Sequence, residues 1–368
     1  MKPLRILHVL ASLDRGGAEA MIMNIYRKID RNKIQFDFVV NDRDESYSYE
    51  AEIKSLGGRI YRVPRYKITN YYFYKREWEK LISQHPEWKI IHGHHTSPAF
   101  IYLSIAKSLN RLTIGHSHIA GGEHTLKSYI KFLMRYPLRY IADYLFACSE
   151  SAAKWMYGKR SNESQVLNNA IDAKKYVFSE QIRTLKRKEL KIEDKFVIGH
   201  IGRFQTQKNH LFLIDIFNAV HDKYNNSILL LVGDGELRPF IEKRIKELGL
   251  IDSVIFTGVR SDIPDLLQAM DLFLFPSLYE GLGIVSIEAQ AAGLHTIVSD
   301  TIPQDAYLTN LIESISLQDS KEKWAEKILK YTTGYNRKNT YEQIKSKGYD
   351  IEATSMWIQR FYLEHWKE

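Results

Sequence analysis

One cysteine, Cys148, is all that 368 residues contain. A lone thiol excludes an internal disulfide and points to a reducing compartment. It lies in YLFACS, a buried-strand pattern, and reads as a small core residue. No apolar stretch approaches the roughly 20 residues that span a bilayer. The opening MKPLRILHVL has too short an apolar run for a secretory signal and reads as a first strand. Zinc-finger spacing, a helix-turn-helix pattern and an RNA-binding aromatic signature are all missing, so nucleic acid is not the expected partner. There is no repeat at solenoid spacing and no low-complexity tract.

What is present is globular: 44% hydrophobic and 26% charged residues, in a length suited to two domains that each bury a core. The net charge of +8 is unevenly placed. Residues 1–194 hold 33 Lys and Arg against 21 Asp and Glu, and residues 195–368 hold 19 against 23. A basic front half suggests an anionic partner, and an anionic membrane face or a lipid-diphosphate acceptor fits it.

Short β-branched runs alternate with helical stretches. The first series covers 4–10, 36–40, 59–63, 90–94, 112–116 and 144–149; the second covers 196–201, 228–233, 254–258, 272–275, 296–299 and 314–317. Strands separated by helix-length segments predict an α/β chain with two parallel, doubly wound sheets. Ligands of such sheets bind beyond the carboxyl ends of the strands, at a switch point. The expected division is 1–172, a charged linker at 173–194, a second domain at 195–350, and a C-terminal segment from 351 with a strong apolar helical face.

Residues 271–300 hold the densest pattern. An apolar run ends at Pro276-Ser277, the turn Tyr279-Glu280-Gly281-Leu282-Gly283 follows, and a helical pattern from Ile284 stops at Gly293. Glycines here let backbone N–H groups from Gly281 to Ile284 approach an anion, and the helix start adds its positive dipole end. Glu280 and Glu288 can accept from hydroxyls. Together they suit a sugar joined to a diphosphate; taken alone they equally describe an ordinary βαβ turn with solvated glutamates. Arg203 and Lys208 follow the strand FVIGHIG, where a guanidinium and an ammonium can clamp a diphosphate or simply face solvent. Gly16-Gly17 sit between the first strand and a helix, a phosphate-approaching position, but the pair lacks the spacing of a dinucleotide fingerprint.

His116 and His118 fall on one face of an extended strand, where a histidine can contact a sugar or an acceptor, or be a satisfied strand-end residue. His92, His94 and His95 lack a nearby cysteine or the helical spacing of zinc enzymes, and Asp42-Arg43-Asp44 reads as a solvated loop, so no metal is expected. Lys127, Lys131, Arg135 and Arg139 repeat at i, i+4, with Pro137 kinking or ending the helix. They make a basic stripe suited to anionic lipid, or a solvated helix face. Tyr66 to Trp78, aromatic and basic, is a second such segment.

Seven motifs occur in order: SLDRGGAE at 12–19, HSH at 116–118, NNAID at 168–172, GRFQTQKNH at 202–210, GDGE at 233–236, FTGVR at 256–260, and Glu280 separated from Glu288 by seven residues. The ordered set resembles the retaining GT-B glycosyltransferases of the large E-x7-E family, family 4-like, across nearly the whole chain. One departure is His295, where the family usually carries proline; a change of turn stiffness is expected there.

The resemblance implies two Rossmann-like domains facing across a cleft and a last helix that returns to the first domain. It implies sugar transfer from a nucleotide diphosphate donor, a UDP-sugar, with no cofactor and no divalent ion. In that reading Gly202, Arg203 and Lys208 hold the leaving diphosphate. Glu280 binds donor sugar hydroxyls, Glu288 the ribose, and Gly16-Gly17 face the donor phosphate. Val259 and Arg260 lie by the base, and His118 stands near the anomeric carbon, with His116 on the acceptor side. Within the family the chain is similar to bacterial capsule and exopolysaccharide enzymes. That implies a lipid-linked or polysaccharide acceptor and a cytoplasmic location at the inner membrane face. A GT-B sugar-nucleotide epimerase would need acid/base carboxylates over the sugar ring. A module that binds an anionic surface or nucleic acid would leave Glu280 and Arg203 unexplained.

Overall fold

The computed structural model describes residues 2–14, 16–118 and 133–366. Two compact units emerge: residues 1–171 with 348–368, and residues 172–347.

The first unit is a parallel sheet of β1 (Leu4–Val9), β2 (Ile34–Asn41), β3 (Arg59–Val63), β4 (Trp88–Gly93), β5 (Leu112–Ser117), β6 (Tyr144–Ala147) and β7 (Gln165–Val166). Their order is β3-β2-β1-β4-β5-β6-β7. Side chains alternate across it: Ile6, Phe36, Phe38 and Ile90 enter one core, Leu7, Val39 and Ile91 the other. Both faces are therefore covered, as an all-parallel sheet requires.

The second unit holds β8 (Phe196–Ile201), β9 (Ser227–Val232), β10 (Val254–Gly258), β11 (Leu272–Phe275), β12 (His295–Ser299) and β13 (Ile312–Ile315), ordered β10-β9-β8-β11-β12-β13. Every strand run read from the sequence is a strand here, with ends that coincide or shift by one or two residues. The addition, β7, is two residues long and too short to carry a pattern. Cys148 is buried just beyond β6.

Residues 173–194 hold a 3-10 turn at Ala173–Tyr176 and a helix at Glu180–Leu190. That helix is fixed by charge. Arg183 donates to Asp271 at 2.5 Å, and Arg187 reaches the same carboxylate at 3.1 Å. Arg187 is its one buried residue, so the stretch shows no apolar stripe and reads as a linker in sequence. Among the described residues no helix is long and apolar enough to cross a membrane.

The C-terminal helix, Ile351–His365, starts on an Asp350 side-chain cap that accepts from the Ala353 N–H at 3.0 Å. Ile351, Ile358, Phe361 and Tyr362 enter the first unit's core beside helix Gly17–Lys28. Ile358 is 1% exposed, so Ile358→Ala should lower the stability of that unit by about 2–5 kcal/mol. Urea unfolding followed by tryptophan fluorescence measures this; a loss under about 0.5 kcal/mol, the scale of a surface substitution, would remove the helix from the core.

Candidate active site

In the second unit β8 and β11 are neighbours, and the strand order reverses between them. The loops that follow them must emerge side by side. The β8 loop carries Gly202, Arg203 and Lys208; the β11 loop carries Glu280 to Gly283. They are tied together. The Leu278 N–H donates to the Gln207 carbonyl at 2.8 Å, and Gln207 Nε2 donates to the Tyr279 carbonyl at 2.9 Å. Asn209 adopts a left-handed backbone that opens helix His210–His221, and its Nδ2 donates to the Pro276 carbonyl at 3.1 Å.

Between the loops Lys208 Nζ meets Glu280 Oε1 at 2.6 Å, with side chains only 14% and 8% exposed. The ammonium also lies 4.7 Å from the Phe275 ring centre. Arg203 is exposed and makes no side-chain hydrogen bond or ion pair among the described residues. Here, then, are one neutralised ion pair and one free guanidinium, the second available to an anion.

Two glycines are required by geometry. Gly283 caps helix Ile284–Ala291 at φ 76°, where a side chain would be strained. Gly233 has φ 136°, and a Cβ there would collide with the Gly202 carbonyl oxygen, so the GDG turn fits under the Arg203 loop only as glycine. At Gly281 a Cβ would meet open space, so packing alone does not require glycine there. Leu282 is buried. Glu288 faces inward from the same helix, and its Oε1 accepts from the Tyr176 hydroxyl at 2.9 Å. Burial pushes its carboxyl up to about 7. Val259 is exposed, while Arg260 is held by both oxygens of Asp262 at 2.7 and 2.6 Å.

His295, the departure from the family's proline, donates its backbone N–H to the Tyr335 hydroxyl at 3.1 Å, a bond proline cannot make. Its ring packs on Tyr331 and Tyr335.

In the first unit the strand order reverses between β1 and β4. Beyond their carboxyl ends lies a cavity of roughly 860 Å³, whose wall includes Leu10, Glu19, Arg65, Lys67, His118 and Arg135. Gly16 precedes helix Gly17–Lys28, and a Cβ on it would collide with the Glu19 carboxylate. Glu19 accepts from Ser12 Oγ at 3.0 Å, and burial raises its carboxyl above the ordinary range. Glu19 was not singled out in the sequence, although it ends SLDRGGAE.

His118 lies just past β5, partly accessible, on the cavity wall. His116, two residues earlier, is fully buried within the strand, its ring 4.1 Å from that of His118. This corrects the acceptor-side expectation: a residue inside the sheet cannot touch an acceptor. The basic stripe is also corrected. Helical backbone stops before Tyr136-Pro137, and Arg139 is turned inward, donating to the Met156 carbonyl at 2.6 Å. Arg135 remains on the cavity wall, and Lys127 and Lys131 lie outside the described residues. In the Asp42-Arg43-Asp44 loop, Arg43 pairs with Asp14 at 2.7 Å. Neither Asp42 nor Asp44 joins a group of metal-capable side chains among the described residues.

Residues 181–350 match the family of glycosyl transferases group 1, and residues 15–175 match Glycosyltransferase Family 4. EpsF of Bacillus subtilis (strain 168), named as a glycosyltransferase, is 34% identical over 360 residues, 95% of this chain and 93% of that protein. The chain belongs to the group 1 glycosyltransferases. The capsular polysaccharide biosynthesis glycosyltransferase CapH of Staphylococcus aureus is 22% identical over 98% of this chain and 99% of its own. The crystal structure of Anabaena HepE with UDP and glucose aligns at TM-score 0.79 and 21% identity, covering 99% of this chain and 100% of that one. That likeness gives this glycosyltransferase the GT-B fold. Its two parallel sheets each bring family motifs to a reversal of strand order.

Tyr176 is the residue sequence reasoning missed in the second unit. It stands 112 residues from Glu288, and no local pattern links them. The pair makes a sign-definite prediction. Because the folded carboxyl titrates near 7 instead of in its ordinary range, the fold is penalised once pH exceeds that ordinary range, and the penalty grows until pH passes about 7. Relative to Glu288→Gln, the wild-type second unit should therefore lose stability between pH 5 and 7, by about 1.4 kcal/mol for each unit of separation between the two pKa values. Urea midpoints of both proteins across that range test it; parallel curves would place Glu288 in solvent.

Proposed function

We propose that the chain moves a sugar from a UDP-sugar to a hydroxyl of a lipid-linked or polysaccharide acceptor, with retained anomeric configuration and without a metal ion. The observation that carries this reading is the β8–β11 site, where Lys208 and Glu280 neutralise each other beside an unpaired Arg203. A donor diphosphate adds the anion that Arg203 lacks. Its sugar hydroxyls take the place of the ammonium at Glu280 and free Lys208 for the phosphates. Preorganised cations aimed at developing negative charge supply most of the rate in such a transfer. The UDP and glucose bound to HepE support the choice of donor.

As the sugar's C1–O bond to the diphosphate breaks, the acceptor oxygen bonds to C1 on the same face. The acceptor's proton passes to the departing diphosphate oxygen. Glu288 and the Tyr176 hydroxyl form a small polar pair suited to the ribose hydroxyls. Glu280 holds the donor sugar, the amides of Gly281 to Ile284 face the phosphates, and Val259 and Arg260 lie on the base side.

The acceptor reading rests on the first-unit cavity. Arg65, Lys67 and Arg135 have no ion-pair partner among the described residues, and Leu10, Ile68, Pro98 and Met134 add an apolar wall. Cations beside apolar surface suit an anionic amphiphile such as a lipid diphosphate. The name of CapH supports a place in capsule or exopolysaccharide synthesis, which this reading sets at the cytoplasmic face of the membrane.

UDP should raise the thermal midpoint more than GDP or ADP does, with stabilisation of about 2.7 kcal/mol at a hundred times Kd. Arg203→Ala should fold normally and lose roughly 10² or more in turnover. Equal stabilisation by all three nucleotides, together with an unimpaired Arg203→Ala, would defeat the reading. Transfer should also persist in excess EDTA, because side-chain cations and helix-terminal amides supply the positive charge. Loss of activity restored by added manganese would overturn metal independence.

A further inference from the structure

Five histidines converge in the first unit: His8 on β1, His92 on β4, His94 just beyond it, His116 on β5 and His118 just beyond that. They form two hydrogen-bonded files. In one, the Tyr362 hydroxyl meets His92 Nδ1 at 2.7 Å, and His92 Nε2 meets His116 Nδ1 at 3.1 Å. This file ends inside the sheet and ties the C-terminal helix to it. In the other, His8 Nδ1 meets His94 Nε2 at 3.0 Å, and His94 Nδ1 meets His118 Nε2 at 2.9 Å. The second file runs from the core to the cavity wall.

Neither file includes a carboxylate among the described residues. Burial pushes His8 and His118 down to about 3, and holds His92, His94 and His116 well below their ordinary value. All five are therefore neutral, with one ring N–H each. A file of three neutral imidazoles has only two proton orders. If protons point inward, His118 donates to His94 and His94 to His8, and the last N–H sits on His8 Nε2. That atom is fully enclosed beside Phe36 and Phe38 and has no hydrogen-bond partner. If they point outward, His8 donates to His94, His94 donates to His118 Nε2, and the last N–H sits on His118 Nδ1. His118 Nδ1 is likewise enclosed and without a partner in the protein, but His118 is the partly accessible member, on the cavity wall, where a ligand can supply one. A buried N–H without an acceptor costs about 1–3 kcal/mol, so the outward order is favoured once a ligand oxygen reaches His118.

We infer that His8 and His94 are positioning residues that hold His118 as a neutral hydrogen-bond donor through Nδ1. In this arrangement His118 donates to an oxygen of the bound sugar or acceptor and does not remove the acceptor's proton. The inference rests on the reading that His118 touches substrate.

His94, His116 and His118 also offer nitrogens within 4.8 Å of one another, as do His8, His92 and His94. A metal cradle is thus the competing account. Against it, the direct bonds within the files join an Nδ1 to an Nε2 at 2.9–3.1 Å, the spacing of a hydrogen bond.

Nitrogen-15 NMR of the full chain labelled at histidine, at neutral pH with saturating UDP-glucose, decides the tautomer; His→Gln variants assign the signals. The expected result is a protonated Nδ1 and a bare Nε2 on His118. The reverse pattern, or a doubly protonated ring, overturns the inference. So does zinc retained stoichiometrically through dialysis and lost in His94→Gln. His94→Asp supplies a functional arm, because a carboxylate accepts from His118 Nε2–H and reverses the file. Turnover should fall at least tenfold while UDP affinity, a property of the second unit, stays at the wild-type value. Unchanged turnover in a folded His94→Asp overturns the positioning role. Loss of UDP binding by the wild-type protein would instead count against the donor reading and leave the tautomer result standing.

Discussion

Lys208 and Glu280 meet because a parallel sheet sends every strand's carboxyl end to the same edge. β8 and β11 are adjacent but are followed by connections that lead to opposite sides, so their loops emerge side by side with room between them for side chains. A cation and a carboxylate enclosed at 14% and 8% exposure are stable there because each neutralises the other. Much else in the second unit follows from that adjacency. Gln207 and Asn209 bridge the loops, Gly233 gives way to the Arg203 loop, and Gly283 turns the chain into the helix that carries Glu288. A polar site is thus built on rigid strands, with its flexible parts tied at both ends.

The first unit solves a different problem with the same topology. Its reversal between β1 and β4 opens a cavity, and the side chains beneath it are imidazoles without acidic partners. Burial keeps them uncharged, so they interact by hydrogen bonds alone. The result is a layer of buried imidazoles that carries no charge, in a region bordered by the cations Arg65, Lys67 and Arg135. An imidazolium added there would be desolvated.

Where sequence reading fell short, the failures have physical causes. Arg139 shares i, i+4 spacing with Arg135, but Pro137 interrupts the helix and rotates the later residue into the core. His116 and His118 share a face of a strand, yet β5 continues to Ser117, so the first is sealed and the second lies past the strand end. The helix Glu180–Leu190 read as a linker because it is held by Arg183 and Arg187 on Asp271, and hydrophobic periodicity cannot register an ionic attachment.

The sequence by itself determined the strands, their parallel class, the motifs at their carboxyl ends and the family, because alternation, turn residues and motif spacing are local. Only the tertiary structure decided that Glu280 neutralises Lys208, that Tyr176 covers Glu288, and that His8 reaches His118 through His94. Those partners are 72, 112 and 86 or 24 residues apart, and strand order within a sheet, which no local periodicity encodes, is what brings them within hydrogen-bond distance.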